Sequence, residues 1–161
     1  MIKRYTKIVM TGILMLQACY LTLTSCDIHK GSESQLKDDI DSFATYYYNW
    51  HFEQAAAYCT PESKRWLKFA ASNVHQADID SLRAKATDAL IEVDDVVFHD
   101  DDTTATVAIH VKNFLQMDSI GQVAHPVSEA TFQLPMVLRH DKWWIHLKSL
   151  PRKDSPQQSE N

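Results

Sequence analysis

The sequence predicts an α+β fold in which N-terminal helices pack on one face of an antiparallel sheet of about four strands. Apolar residues recur at helical spacing up to about residue 86 and alternate from residue 87 onward. Two hairpin registers can then be written in which apolar residues oppose apolar residues. A third observation, an export signal ahead of both halves, bears on location.

The chain begins with Lys3, Arg4 and Lys7, runs through an apolar stretch over 8–23 broken by Gln17 and Thr22, and reaches Leu23-Thr24-Ser25-Cys26. A basic start, an apolar middle and small residues before a cut make up a secretory signal. The apolar middle is short for a membrane span of about 20 residues, which argues against a retained helix. Leu23-Thr24-Ser25-Cys26 resembles the lipobox of bacterial lipoproteins. That resemblance implies cleavage before Cys26 and diacylglycerol on its thiol, and so a place in the bacterial cell envelope, with the outer membrane or cell surface expected over the inner membrane. Each buried methylene of an acyl chain adds about 0.8 kcal/mol, so two or three chains anchor durably. The expected organisation is a signal over 1–25, a lipidated polar tether over 26–34, one α+β domain over 35–150 and a polar tail over 151–161.

The whole chain carries 16 basic and 21 acidic residues, a net charge of −5. Residues 1–25 hold three of the basic residues and no acid, which leaves the remainder at about −8. Such a chain, with no Lys/Arg cluster, is poorly suited to phosphate backbones, and nucleic acid is excluded as an expected partner. Of the cysteines, Cys19 leaves with the signal and Cys26 is acylated. Cys59 is left without a disulfide partner. It sits in an Ala-rich helical stretch and reads as a small buried apolar residue, since nothing nearby would depress its pKa.

Ser32 reads as an N-cap with Gln35 as its capping-box partner. Leu36, Ile40, Phe43, Tyr47 and Trp50 then form a stripe on one helical face. A brief second helix is expected over 52–58. Thr60 caps and Pro61 opens a third over 62–73, with Trp66, Phe69 and Ala70 on its inner side. Asp78 is expected to cap a short fourth turn. In the strand half, Ala89, Ile91 and Val93 alternate, and Val96 and Phe98 alternate on the opposite parity, so a β-bulge is expected at Asp94-Asp95. With Asp101 and Asp102 at the turn, Phe98 opposes Ala105 and Val96 opposes Val107. A two-residue turn at His140 and Asp141 pairs Leu138 with Trp143, Met136 with Ile145 and Leu134 with Leu147. Pro135 cannot donate to a ladder, so its N–H side should face an edge or a bulge.

This order of elements resembles the nuclear-transport-factor-2-like, or cystatin-like, cone fold. More narrowly, it resembles short bacterial lipoproteins of unknown function with that fold. Their Gly-Asp-Phe/Tyr-x-x-Ala segment reads here Trp50-His51-Phe52-Glu53-Gln54-Ala55. Their final turn before Trp and Ile reads His140-Asp141-Lys142-Trp143-Trp144-Ile145. The resemblance covers roughly residues 35–150 and implies helices packed into the concavity of the sheet. The superfamily holds both acid/base enzymes and binding modules, so fold alone does not decide between them.

An enzyme of that kind needs a tuned carboxylate or histidine inside the cone. The inward positions from Ile91 to Leu147 are all apolar, so no catalytic residue is assigned and a closed core is the simpler account. The histidines are scattered without metal-ligand spacing, and His110 and His146 are expected about 10 Å apart on the outer face. Asp100-Asp101-Asp102 reads as a solvated turn because no calcium-loop pattern follows. Neither a metal nor a cofactor is expected.

The outer sheet face, with Val137, Trp144, His146, Lys148 and His110, is the candidate contact surface for a protein, a glycan or a second copy. An alternative for Trp144 is cover by the loop over 116–125. The competing functional reading is a small-molecule or isomerase-type site in a helix-sheet pocket rimmed by Tyr46, Tyr48 and Trp66. Beyond these, the expected partner is the membrane itself, through lipid on Cys26.

Overall fold

The computed structural model describes residues 31–117 and 122–153. The signal, Cys26, most of the expected tether and the tail from residue 154 lie outside the described residues. Helix α1 spans Glu33–Tyr48, so it starts inside the stretch expected as tether. Ser32 Oγ accepts the Gln35 N–H at 3.2 Å. The Gln35 side chain turns back to the N–H of Gly31, at 2.7 Å, one residue further out than in a capping box.

Leu36, Ile40, Phe43, Ala44 and Tyr48 are the buried face of α1. The expected stripe ended on Tyr47 and Trp50 instead. Tyr47 is only half-buried, and Trp50 lies past the helix end at φ 65°, where a helical period no longer applies. Asn49 ends the helix, and its side chain accepts the Ala89 N–H at 2.8 Å, fixing the start of the sheet against the end of α1.

Helix α2, Phe52–Ala55, runs into a 3-10 turn, Ala56–Tyr58. Cys59 then forms a parallel bridge with Ile145, and Thr60 donates its N–H to Ile145 O at 2.9 Å. Helix α3, Lys64–Ser72, starts three residues beyond Pro61 and buries Leu67 and Ala70. Of the expected inner side, Ala70 is buried and Trp66 packs half-buried against the core, but Phe69 is exposed. Size alone misplaces Phe69, and Leu67 takes the buried position instead. The face that packs carries Leu67 and the small Ala70. Helix α4 spans Gln76–Ala84, and Asp78 serves its cap from the third helical position, where its side chain accepts the N–H of the N-cap residue His75 at 2.8 Å.

Strands β1 (Leu90–Phe98), β2 (Thr104–Gln116), β3 (His125–Arg139) and β4 (Lys142–Ile145) form an antiparallel sheet in the order β1-β2-β3-β4. The fold is thus α+β, with helices against one sheet face. The expected bulge falls between Val93 and Asp95, and Val96 pairs with Val107 and Phe98 with Ala105. Met136 pairs with Ile145 and Leu138 with Trp143, across a turn whose two residues, His140 and Asp141, both have positive φ. Ala105, Val107, Ile109, Val111, Phe132, Leu134 and Met136 complete the core from the sheet side.

Strand β1 is an edge, so its inward Ile91, Val93 and Val96 are only half-buried. The bulge distorts this edge, and Asp95 Oδ1 accepts the N–H of Val96 at 2.9 Å. Both devices discourage strand addition.

The expected Leu134–Leu147 pair is absent, for a reason in the sequence. His146 donates its N–H to Pro135 O at 2.8 Å, and an antiparallel pair would return a bond from residue 135 to the His146 carbonyl. Proline has no N–H to give, and the ladder stops. Leu147 stays buried but donates to Ser63 Oγ at 2.8 Å, and the chain regains β3 only at Lys153, bridged to Phe132.

Candidate functional site

Two surfaces merit description as sites. The first is the outer face at the β3–β4 hairpin. Side chains alternate along β4, so Trp143 and Ile145 are buried while Lys142, Trp144 and His146 turn outward. Val137 pairs directly with Trp144. Because the segment after α2 runs parallel beside Ile145, it brings Tyr58 and Thr60 onto the same face. The Lys142 ammonium stands 4.5 Å from the Trp144 ring centre and 5.8 Å from that of Tyr58. Tyr46 stacks on Tyr58 at 6.1 Å. A cation held between two half-exposed aromatic rings, with a third ring behind, makes a surface that can stack on a planar or sugar ring.

His146 Nδ1 lies 3.2 Å from Thr60 Oγ1, which lies 2.7 Å from Ser63 Oγ. A hydroxyl beside a histidine suggests a nucleophile, but Thr60 is only 1% exposed and no substrate reaches it. The chain of bonds fastens the start of α3 to the end of β4.

The second surface is a cleft of about 60 Å³ where the end of α1 meets the far ends of β2 and β3. Tyr47, Tyr48, Trp50, Phe52, Phe114 and Phe132 supply its aromatic walls. Tyr48 and Phe132 rings stand 4.8 Å apart, and Tyr48 and Phe114 meet edge-on at 5.4 Å. The Tyr48 hydroxyl is buried and has no hydrogen-bond partner among the described residues. Burial raises its pKa well above the ordinary tyrosine value, with Tyr47 adding to the shift. It can donate or accept a hydrogen bond but cannot serve as a base near neutral pH.

The structure regroups the residues singled out from sequence. Trp144, Val137 and His146 come together as expected. Lys148 is exposed and lies in a shallow depression with Gln133 and Pro135. His110 is set apart: it pairs across the sheet with Thr131 and approaches Glu129, Nε2 to Oε2, at 3.3 Å. Thr106 pairs with Pro135, the hydrogen-bond partner of His146, and His110 lies four residues further along β2. The separation of the two histidines is therefore about 16 Å, not the expected 10 Å, which counted strands and ignored stagger.

The described ends of the loop over 116–125 lie away from Trp144, and residues 118–121 lie outside the described residues. Trp144 lies opposite Val137 and so, across β3, Thr104, while Gln116 and His125 pair at the other end of β2, a contour of about 40 Å along the strand. Of the three expected rim residues, Tyr48 lines the cleft, and Trp66 lines a neighbouring groove beyond Leu150 and Pro151. Tyr46 belongs to the Trp144 face. Lys142 and Tyr58 were missed. An i, i+2 cation–aromatic pair on an outward strand face was the available signal for Lys142, whereas Tyr58 depends on a parallel bridge that no periodicity reveals. No group of three or more metal-binding side chains occurs among the described residues.

No family model matches the chain, and no curated protein matches it. Among solved structures it is similar to one described as an "Ntf2 like protein involved in plasmid conjugation", with 11% sequence identity and a TM-score of 0.41. The alignment covers 78% of this chain and 52% of that one, so the chain spans about half the length of that protein. A likeness of this size carries no information on activity.

Proposed function

We propose that this chain is a lipid-anchored envelope module that binds a partner and does not catalyse. The lipobox ending in Cys26 supports the anchor. The observation that carries the binding reading is the outward Trp144 with Lys142 held against its ring and Tyr58 alongside. Trp and Tyr supply contact area at low entropic cost, and the alternation of β4 turns Trp144 outward while the parallel bridge at Cys59 brings Tyr58 beside it. A glycan or an extended protein segment suits such a face. A second copy would meet it with the same cation.

Two measurements test this reading. Lipid labelling of the expressed chain should disappear in Cys26→Ser, and labelling that persists removes the anchor. Trp144→Ala with Lys142→Ala should weaken cosedimentation with peptidoglycan, or self-association in the ultracentrifuge, by about tenfold or more if this is the hot spot. If both assays are unchanged, the surface is dismissed.

A second reading, a small-ligand site in the Tyr48 cleft, is favoured by one observation, the unpaired buried hydroxyl. Space for roughly four waters limits such a ligand to a small ring or the end of a chain.

A further inference from the structure

We infer that the anchored domain is oriented, with the two turns at residues 99–103 and 139–142 toward the bilayer and the Tyr48 cleft on the end facing away from it. The inference rests on the proposed lipidation of Cys26. It adds which surfaces meet lipid and which are presented to a partner.

The argument begins at Gly31, where the described chain enters the fold. Its carbonyl accepts the indole N–H of Trp143 at 3.0 Å, and its N–H donates to Gln35 at 2.7 Å. Its φ is +73°, and a Cβ there would stand 3.3 Å from Leu138 Cδ1 and 3.8 Å from the Asp141 carbonyl. The entry point is therefore clamped against the β3–β4 hairpin. The β1–β2 turn belongs to the same end, since Leu138 donates its N–H to Thr103 O at 2.7 Å and the Phe98 ring lies 5.7 Å from that of Trp143.

Cys26 precedes Gly31 by five residues. Whatever its conformation, that length of chain spans at most about 17 Å. Strand β2 runs 13 residues from the clamped end to Gln116, a contour of about 40 Å with a break at Asn113 (φ 55°), and there Trp50 donates its indole N–H to Leu115 O at 3.3 Å beside the cleft. A leash under half the length of the domain, fixed at one end, keeps that end at the lipid surface. The groups that anionic headgroups would attract are Arg152 and Lys153 in the groove beside the cleft and Lys64, Arg65 and Lys68 on α3, so the leash holds the orientation against that pull. Asp100, Asp101, Asp102 and Asp141 outnumber Arg139 and Lys142 at the near end, so it rests close to the bilayer without adhering to it.

The test uses the lipidated protein with one added thiol, Asp100→Cys at the near end or Ser128→Cys beside Asn113 on the far part of the sheet. Both positions are exposed, Cys59 is buried, and Cys26 is acylated in the proposed form. Each variant is labelled with a donor dye and reconstituted in phosphatidylcholine vesicles containing a minority of phosphatidylglycerol and a headgroup acceptor. The sites are separated by about 30 Å along β2, so energy transfer from Asp100→Cys should exceed that from Ser128→Cys by about twofold or more. Inserting a long Gly-Ser segment before Gly31 should abolish the difference. Equal or reversed transfer in protein that floats with the vesicles overturns the orientation and leaves the anchor standing. Protein that does not float overturns the anchor and the orientation with it.

Discussion

The buried carboxylate of Asp78 accepts the backbone N–H of Ala124 at 2.7 Å, tying the first turn of α4 to the chain entering β3. It also accepts the His75 N–H at 2.8 Å, with His75 Nδ1 at 3.5 Å. Burial pushes this carboxyl up, but the bonds from Ala124 and His75 and the nearby imidazole outweigh it and hold the pKa below the usual carboxylate value. A carboxyl lowered in the folded state stabilises folding when ionised. That stability is complete above the unfolded pKa of about 3.9 and is lost as pH falls through the lower folded value. Urea melts should therefore show Asp78→Asn to be less acid-sensitive than the parent below about pH 4. Asp78→Ala should lose about 3 kcal/mol at neutral pH, because two backbone donors are left unpaired. Identical acid sensitivity in parent and Asp78→Asn would refute this role.

Features that depend on neighbours in sequence were legible from the chain alone. The Ser32 cap, the bulge at Asp94-Asp95 and both hairpin registers follow from which residues alternate and which turn. Features set by distant contacts were not. Asp78 is legible as a local cap, but its second bond, from Ala124, is not, because that partner lies 46 residues on. On α3 the spacing finds Ala70 and Trp66, but size draws Phe69 inward where Leu67 packs. The end of β4 was within reach of sequence reasoning, since Pro135 was recognised as a missing donor without being connected to the Leu134–Leu147 pair it disrupts. At the candidate site, Trp144 and Val137 were legible as a pair on the hairpin. Tyr46 was assigned to a pocket because its stacking on Tyr58 depends on the parallel bridge at Cys59.

Cys59 is fully buried, and burial pushes its thiol up to about 12. The thiolate is the nucleophile, so alkylation of the folded protein at neutral pH should be slow and limited by unfolding. Labelling with iodoacetamide should rise steeply through the urea transition. Fast labelling in native buffer would contradict both the burial and the inert assignment.

Tyr48→Phe separates two states of the cleft. If the hydroxyl is unpaired in the free protein, its removal deletes a desolvated polar atom, and stability should rise by about 1 kcal/mol. If water or a ligand bonds it, the same change should cost stability by a similar amount, or lower the thermal shift that a ligand produces. A gain in melting temperature for Tyr48→Phe, with no compound giving a shift that the variant loses, would end the small-ligand reading. The ring stays in either case, so the contacts with Phe114 and Phe132 are not confounded.

The β3–β4 turn places two non-glycine residues, His140 at φ 54° and Asp141 at φ 57°, in the left-handed region. A two-residue turn with both φ positive matches the twist of its strands and favours Asn-Gly. Each ordinary residue there costs roughly 1 kcal/mol. His140→Asn with Asp141→Gly should therefore raise stability by about 1 kcal/mol, less than the full strain because glycine also loses more entropy on folding. This turn sits against Gly31 and carries the backbone from Val137 to its partner Trp144. The same substitution should leave any activity of the Trp144 face intact, since neither side chain belongs to it. A stability gain accompanied by loss of binding would instead assign His140 or Asp141 to the contact surface, and a loss of stability would mean that their side chains contribute more than their backbone strain removes.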